Sequence, residues 1–473
     1  MLDLLLIGCY SLPDETGRLD RALRECGMDT GGIRFVSSQD TRTVTELIEH
    51  RTAMSGYRVE CLLHFLEDKA RLGALLPKGI EYIAMTTRYF RNVYELYDIV
   101  QYVRGSNPNV KIIVGGGFFR SAAGKLEPRE RERLLALIQA DYYLFHDDCA
   151  RLVRRLVEAR GNVRRLEQIP HLVWKEPSGA YRISSACDQS QPPLDTPLMW
   201  EESSELIPEI TSLKTTVSCP FSCSFCAVKN RTEPFRALPL EVIRQNIECL
   251  MRLGRTKILH FTDETINLPR ARFHEFLHML IELNSGFSWY SFCRCEQMDE
   301  ETAALMKRSG CMAVLLGLES GSDSLLREMN KQVTTERLRQ THRLYQRAGI
   351  ATIGFFIVGF PGETSDTVKE TVRFIEEIQP DFYRLHAWEC EVGTAVWERR
   401  QSLGLRLING VWSHGTMDLP AAQKHIERMQ TQITRSVSIA QADFSFALQL
   451  LHHGFSLERV KELLQRLNTA GLG

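Results

Sequence analysis

Apolar and polar positions come in short alternating blocks along the first third of the chain. Leu2 to Ile7 is an almost unbroken apolar run that ends at Gly8-Cys-Tyr-Ser11, and Ile80 to Met85 ends at Thr86-Thr-Arg-Tyr89. Val110 to Val114 ends at Gly115-Gly-Gly-Phe118, and Asp141 to Phe145 ends at His146-Asp-Asp148. Runs this short, closed by small and polar residues, read as buried strands, and each is followed by a helix-period stretch such as Val93 to Arg104 or Cys149 to Ala159. The alternation predicts a parallel, doubly wound, Rossmann-like α/β domain over residues 1–160, with any ligand at the carboxyl ends of its strands. A glycine at such an end either turns the chain or lets a ligand approach closely.

Residues 161–205 lack periodicity and hold Pro170, Pro177, Pro192, Pro193 and Pro197 among Ser, Gly and acidic residues, so they read as a linker. A second βα series follows, with strand-like runs at Leu213 to Val217, Ile258 to Thr262, Trp289 to Cys293, Ala313 to Leu316, Ile353 to Val358 and Phe382 to Ala387. Six units predict a partial, open (β/α)6 barrel of the TIM type over 206–405, again with its site at the carboxyl ends. From 406 onward the pattern is helical, over Ala421 to Ser436, Ile439 to His452 and Ser456 to Leu467. This small C-terminal helical domain is expected to dock its apolar stripe on the barrel and close the lower mouth.

Composition narrows the class. At 473 residues, 44% hydrophobic and 25% charged, the chain can bury two or three cores. A formal net charge of −1 gives no electrostatic footprint for nucleic acid or an anionic membrane. Leu4 to Ile7 is too short for a signal sequence and no run reaches membrane-spanning length, so a cytoplasmic location is the expectation.

The chemistry is concentrated in Ser218-Cys-Pro-Phe-Ser-Cys-Ser-Phe-Cys-Ala227, where Cys219, Cys223 and Cys226 form a C-x3-C-x2-C loop after a strand. Three closely spaced thiolates hold one face of an iron–sulfur cluster and leave one iron open to a small molecule. A structural zinc needs a fourth ligand, and no further Cys or His lies within about five residues on either side. A disulfide with a spare thiol fits neither the unpatterned spacing of the other ten cysteines nor a chain without a secretory signal.

With Phe225 directly before the third cysteine, the loop resembles the signature of the radical S-adenosylmethionine (SAM) enzymes. The resemblance implies a [4Fe-4S] cluster on Cys219, Cys223 and Cys226 whose open iron is chelated by SAM. It also implies where SAM lies. Asp263 and Glu264 stand where the family offers acidic groups to the SAM amino group, and Arg294 is placed to pair with its carboxylate. In Gly317-Leu-Glu-Ser-Gly321, Glu319 resembles the acceptor of the ribose hydroxyls, with Ser320 beside it. Gly354 to Thr364, including Val358, resembles the strand that lays backbone along the adenine.

A Rossmann-type domain ahead of such a loop resembles the cobalamin-dependent radical SAM enzymes, and its strand-end residues become a corrin rim. Those residues are Gly8, Cys9, Tyr10, Thr86, Thr87, Arg88, Tyr89, Gly115, Gly116, Gly117, Phe118, His146 and Asp147. Gly8-Cys-Tyr-Ser-Leu-Pro13 carries no histidine, so the resemblance is to the subgroup that binds cobalamin without a protein ligand below cobalt. Arg88 is either the residue beneath the corrin or an ordinary surface arginine.

The runs Phe261 to Asn267, Ser291 to Cys295 and Trp412 to Met417 suggest the methyltransferases of natural-product pathways, which methylate a carbon or phosphorus centre. The implied route cleaves one SAM to a 5′-deoxyadenosyl radical and moves a methyl group through methylcobalamin, which a second SAM regenerates. Tyr383, His386 and Glu389 are the candidate catalytic residues, with Trp388, Cys390 and His414 near them; for His386 the plain alternative is a histidine satisfied within a barrel strand. The expected partners are a small-molecule or peptide substrate and an external electron donor such as flavodoxin or ferredoxin, with neither nucleic acid nor membrane. Cyclisation or rearrangement without methyl transfer, and a non-catalytic cobalamin-binding protein, remain open alternatives at this point.

Overall fold

The computed structural model describes residues 2–11, 23, 33, 35–124, 126–146, 149–186, 195–230, 234–408, 410–440 and 443–469. Two compact units emerge, one from residues 1–14 and 39–208 and the other from 15–38 and 209–473.

In the first unit, β1 (Leu2–Cys9), α1 (Ser38–Ala53), β2 (Val59–His64), β3 (Ile80–Thr86), α2 (Val93–Ser106), β4 (Lys111–Gly115), α3 (Gly117–Gly124), α4 (Pro128–Ile138), β5 (Tyr142–Leu144) and α5 (Ala150–Ala159) alternate as expected. Sheet order is β2-β1-β3-β4-β5, all parallel. Both faces are buried, which explains the unbroken apolar runs. Leu5, Ile7, Ile83, Met85, Ile112 and Val114 enter one core, whereas Leu4, Leu6, Tyr82, Ala84 and Ile113 enter the other. Helix entry is set locally: the Asn92 side chain accepts from the backbone N–H of Tyr94 and Glu95 and opens α2.

The expected linker departs from the reading. Within 161–205, β6 (Leu172–Lys175) and β7 (Tyr181–Ile183) extend the first sheet as antiparallel strands beyond β5. Their reason is alternation: Val173 joins the first core, Leu172 and Trp174 the second, and Pro170 and Pro177 only flank β6.

In the second unit, seven parallel strands run in the order β14-β13-β12-β11-β10-β9-β8. They are β8 (Ile210–Leu213), β9 (Ile258–Phe261), β10 (Ser288–Cys293), β11 (Cys311–Glu319), β12 (Ala351–Val358), β13 (Phe382–Ala387) and β14 (Val437–Ser438). The helices between them are α6 (Leu240–Leu253), α7 (Arg270–Leu283), α8 (Glu300–Arg308), α9 (Asp323–Glu328), α10 (Thr335–Arg347) and α11 (Ser365–Ile378), followed by α12 (Leu419–Gln432), α13 (Phe444–His452) and α14 (Leu457–Thr469). The seventh strand, β14, lies where the helical reading ran from 421 to 452 almost without a break; its two residues pair with Phe382 and Tyr383.

The helix α13 is buried along its length. Phe444, Phe446 and Leu448 share a core with Ile210, Ile258, Ala313, Ile353 and Phe382, which lie near the amino ends of their strands. The helices α13 and α14 therefore fill the amino end of the open barrel, and its carboxyl end carries the loops described next.

Candidate active site

The cysteine loop follows β8 and the short strand Thr216–Val217, which pairs antiparallel with Arg236–Ala237. It is anchored at three places. Ser224 donates its backbone N–H to the carbonyl of Met329 at 2.9 Å and its hydroxyl to that of Glu328 at 2.9 Å. Asn330 donates to the carbonyl of Ser222 at 2.8 Å, and the N–H of Val396 to that of Ser224 at 3.1 Å. Ser218, at φ 64°, makes the sharp entry.

Cys219, Cys223 and Cys226 are all half-buried. Burial pushes the Cys226 thiol up to about 11 and raises that of Cys219, and the Glu264 carboxylate adds to both, which sets it near the loop. Sulfurs at about 2.3 Å from one zinc lie within about 4 Å of each other. Among the described residues only Cys9, Asp40 and His64 bring three donor atoms within 4.8 Å, so the loop thiols are spread wider than a single ion requires. Three soft donors on one anchored loop are the donor set of an iron–sulfur cluster.

The expected SAM contacts divide once placed. Asp263 is buried; its Oδ1 accepts from the backbone N–H of Thr215 at 2.9 Å and from the hydroxyl of Thr216 at 2.6 Å, and also from the N–H of Thr216. Burial raises its pKa to about 6. Asp263 Oδ1 thus holds the turn before the cysteine loop while its Oδ2 is buried without a hydrogen-bond partner, whereas Glu264 is exposed.

Arg294 also departs from its expected role. Its guanidinium lies 3.6 Å from the ring of Phe221, donates to the sulfur of Cys223 at 3.5 Å and binds Glu296 and the carbonyl of Lys331. With its donors taken up in this way, Arg294 braces the cysteine loop and is not an open clamp for a carboxylate.

Glu319 ends β11 in a left-handed conformation, φ 61°, after a shift of register against β12. Its Oε1 is 2.7 Å from Nζ of Lys331, and both side chains are about nine-tenths buried. Burial works against the Lys331 charge, but Glu319 outweighs it and the Lys331 pKa is raised. A Cβ on Gly317 would lie 2.6 Å from Glu319 Oε1 and 3.1 Å from Lys331 Nζ, so a side chain there would have to displace the ends of the pair. Sequence reasoning missed Lys331, which sits in an irregular turn after α9 and matches no spacing pattern.

Ser320 faces away, bonded to Thr371 at 3.2 Å and to the N–H of Ser322 at 3.1 Å. The carbonyl of Val358 accepts from the N–H of Trp388 at 2.8 Å, and Phe225 meets Phe360 edge-on at 6.4 Å.

The strand β13 separates the three candidate catalytic residues. His386 stacks on Phe355 at 6.0 Å and is open to solvent; partial burial, with Arg384 nearby, lowers its pKa, so the imidazole is neutral near pH 7. Tyr383, an odd number of residues away, lies on the opposite face, buried, with its pKa raised to about 12. It is part of the packing and does not join His386. Glu389 is exposed in the loop after β13, Cys390 is half-buried there, and Trp388 is buried against Trp412 at 5.3 Å. His414 stacks on Trp412 at 5.2 Å and its Nε2 lies 3.0 Å from the carbonyl of Gly359, which makes it a packing residue too.

In the first unit, Tyr10, Thr86, Thr87, Arg88, Tyr89, Gly116, Phe118 and His146 lie at or just past the carboxyl ends of β1, β3, β4 and β5. Tyr10 donates to Asp98 at 2.7 Å, Arg88 pairs with Glu46 at 3.3 Å, and His146 lies 5.2 Å from His171. Two glycines are explained by packing: a Cβ on Gly8 would lie 2.5 Å from Thr43 of α1, and one on Gly115 2.9 Å from the sulfur of Cys149. Gly116 combines φ 108° with a close approach to Thr87, and Gly117 begins α3. Cys9 points inward and bonds the carbonyl of Leu63 at 3.2 Å, so only its backbone belongs to the rim. Asp147 lies outside the described residues.

Residues 213–375 match the sequence model of the Radical SAM superfamily. An uncharacterized methyltransferase of Pyrococcus horikoshii is 25% identical over 389 residues, 79% of this chain and 82% of that protein. An anaerobic magnesium-protoporphyrin IX monomethyl ester cyclase of Rubrivivax gelatinosus is 30% identical over 165 residues, 34% of this chain and 30% of its own. Among solved structures, the radical SAM methyltransferase TsrM of Kitasatospora setae, with cobalamin and a [4Fe-4S] cluster bound, superposes with a TM-score of 0.69 over 100% of both chains at 17% identity. The cobalamin-dependent radical enzyme OxsB gives 0.64 over 99% of this chain and 71% of its own at 14% identity. These two structural likenesses are of fold.

Proposed function

We propose, for a chain whose residues 213–375 form a radical SAM domain, that it is a cobalamin-dependent radical SAM methyltransferase acting on a carbon or phosphorus centre of a small molecule or peptide. The observation that carries the reading is the anchored loop of Cys219, Cys223 and Cys226 with Glu264 and the Glu319–Lys331 pair near it, in a chain whose earlier residues form a Rossmann-like unit. When bound, the cluster supplies one electron to SAM, and cobalamin supplies a carrier for its methyl group.

The residues of this chain orient and exclude. Cys219, Cys223 and Cys226 would hold the cluster, Arg294 and Phe221 brace the cysteine loop, and Glu264 would accept from the SAM ammonium. Glu319 would accept from the ribose hydroxyls, with its carboxylate held in place by Lys331 at 2.7 Å. His386, neutral and open beside Phe355, is placed to accept a proton from substrate or hold a polar group of it. In the other unit, Tyr10, Thr86, Thr87, Arg88, Gly116 and Phe118 would hold cobalamin, and the Gly8 to Ser11 segment offers no histidine to cobalt. Natural-product precursors as substrates, a flavodoxin or ferredoxin as electron donor, and a cytoplasmic setting belong to the same reading.

The test is product accounting with reduced, cobalamin-loaded protein and candidate substrates. On the radical route each methylated product accompanies one S-adenosylhomocysteine and one 5′-deoxyadenosine. Labelled product without 5′-deoxyadenosine means polar methylation of a nucleophilic substrate. 5′-Deoxyadenosine with altered substrate and no S-adenosylhomocysteine would refute methyl transfer in favour of rearrangement.

A further inference from the structure

Beneath the rim of the first unit, three ligating side chains meet that the proposed reaction does not use. Cys9 ends β1, His64 ends β2 and faces Cys9 in parallel register, and Asp40 lies in the first turn of α1. Their side-chain donor atoms lie within 4.8 Å of one another, and the residues are 0%, 7% and 6% exposed. Nε2 of His64 is 3.0 Å from Oδ1 of Asp40, and Sγ of Cys9 is 3.2 Å from the carbonyl of Leu63. A carboxylate of Asp68 accepts from the N–H groups of Leu63 at 3.1 Å and His64 at 3.3 Å, which fixes the end of β2.

A thiol, a carboxylate and an imidazole are the mixed sulfur, oxygen and nitrogen donors that a borderline, tetrahedral divalent ion takes. Ligands at about 2.0–2.3 Å from such an ion lie about 3.3–3.7 Å apart, so the observed spacing closes around one with small side-chain shifts. Donors from three separate segments, held by a parallel register and a backbone-bonded carboxylate, are arranged before any ion arrives. Glu264 and the loop cysteines, in contrast, are exposed or half-buried.

We infer that Cys9, Asp40 and His64 form a buried structural site for one divalent cation of the zinc class, separate from the iron–sulfur loop. Binding forms bonds from Sγ, a carboxylate oxygen and an imidazole nitrogen to the ion. The Cys9 S–H bond breaks with its proton going to solvent, the proton shared between His64 Nε2 and Asp40 Oδ1 leaves that hydrogen bond for Nδ1 of His64 or for solvent, no electron is transferred, and water or a backbone carbonyl completes the fourth position.

The probe is Co2+, titrated without oxygen into the full chain carrying Cys219→Ala, Cys223→Ala and Cys226→Ala, which removes the competing loop thiols. One equivalent should give a thiolate-to-cobalt charge-transfer band together with tetrahedral d–d bands. Adding Cys9→Ser should abolish the charge-transfer band, and His64→Ala should weaken binding about tenfold or more. Absence of a saturable band, or a band that survives Cys9→Ser, overturns the site. A second measurement covers misfolding of that variant: the cluster-loaded wild-type chain, equilibrated with Zn2+ and desalted, should retain one more zinc than its Cys9→Ser counterpart. Equal zinc in the two overturns it as well.

Discussion

Lys331→Met removes one half of the buried pair and leaves the Glu319 carboxyl without that partner. The Nζ to Oε1 distance is 2.7 Å and both side chains are about nine-tenths buried. At an effective dielectric constant of about 20 the attraction is roughly 6 kcal/mol, against several kcal/mol of desolvation for each ion. The pair itself therefore adds little net stability, but breaking it costs about 3–5 kcal/mol because a lone carboxylate is left buried. At about 2 °C per kcal/mol for a unit of this size, the melting temperature should fall by about 6–10 °C. Glu319→Gln with Lys331→Met should recover most of the loss, a coupling of about 2–3 kcal/mol between the two positions. Anaerobic thermal melts of the cluster-loaded variants read this out, and SAM binding gives a second axis. Glu319→Ala should weaken SAM binding about 10- to 150-fold, the range of a lost charge-assisted hydrogen bond. Lys331→Met melting within about 2 °C of wild type, or a double variant that loses the sum of the singles, would refute the argument.

Three further outcomes are expected. Cys223→Ala should abolish both the cluster absorbance and reductive cleavage of SAM, and a full cluster in that variant would remove the assignment of the loop. Cob(II)alamin bound to the protein should show an EPR spectrum without nitrogen superhyperfine splitting; a protein nitrogen signal would point first to His146. Glu363 is buried and burial raises its pKa to about 7 from the ordinary 4.5, despite N–H donors at Gly359 and Phe360. Raised in the folded state, it contributes stability that is complete below pH 4.5 and lost as pH rises through about 7, a range of about 3 kcal/mol. Wild-type melting should therefore fall between pH 5 and 8 more steeply than that of Glu363→Gln, and parallel profiles would contradict this.

What could be read from the chain follows from how local the physics is. The run at β1 was legible because both of its faces are buried, so every position from Leu4 to Ile7 is apolar. The edge strand β2 was not, since Glu60 interrupts it and it has a single neighbour. The strands β6 and β7 were hidden by flanking prolines, although their alternation was present in Leu172, Val173 and Trp174. At the site, the cysteine loop carries its chemistry in its spacing. Asp263 and Glu264 are adjacent and chemically alike, and only the fold turns the first to the backbone of Thr215 and Thr216. Strand parity alone would have parted Tyr383 from His386. Lys331 had no such signal, because its meaning comes from a carboxylate twelve residues earlier that a strand irregularity turns toward it.

The claim of methyl transfer through cobalamin is tested most directly without any substrate. Anaerobic protein carrying the cluster and cob(I)alamin is given SAM bearing a trideuterated methyl group, and the extracted cobalamin is weighed by mass spectrometry. Cobalamin carrying the trideuteromethyl group, formed together with an equal amount of S-adenosylhomocysteine, is the predicted result. SAM consumed to 5′-deoxyadenosine while the cobalamin stays unmethylated would contradict it.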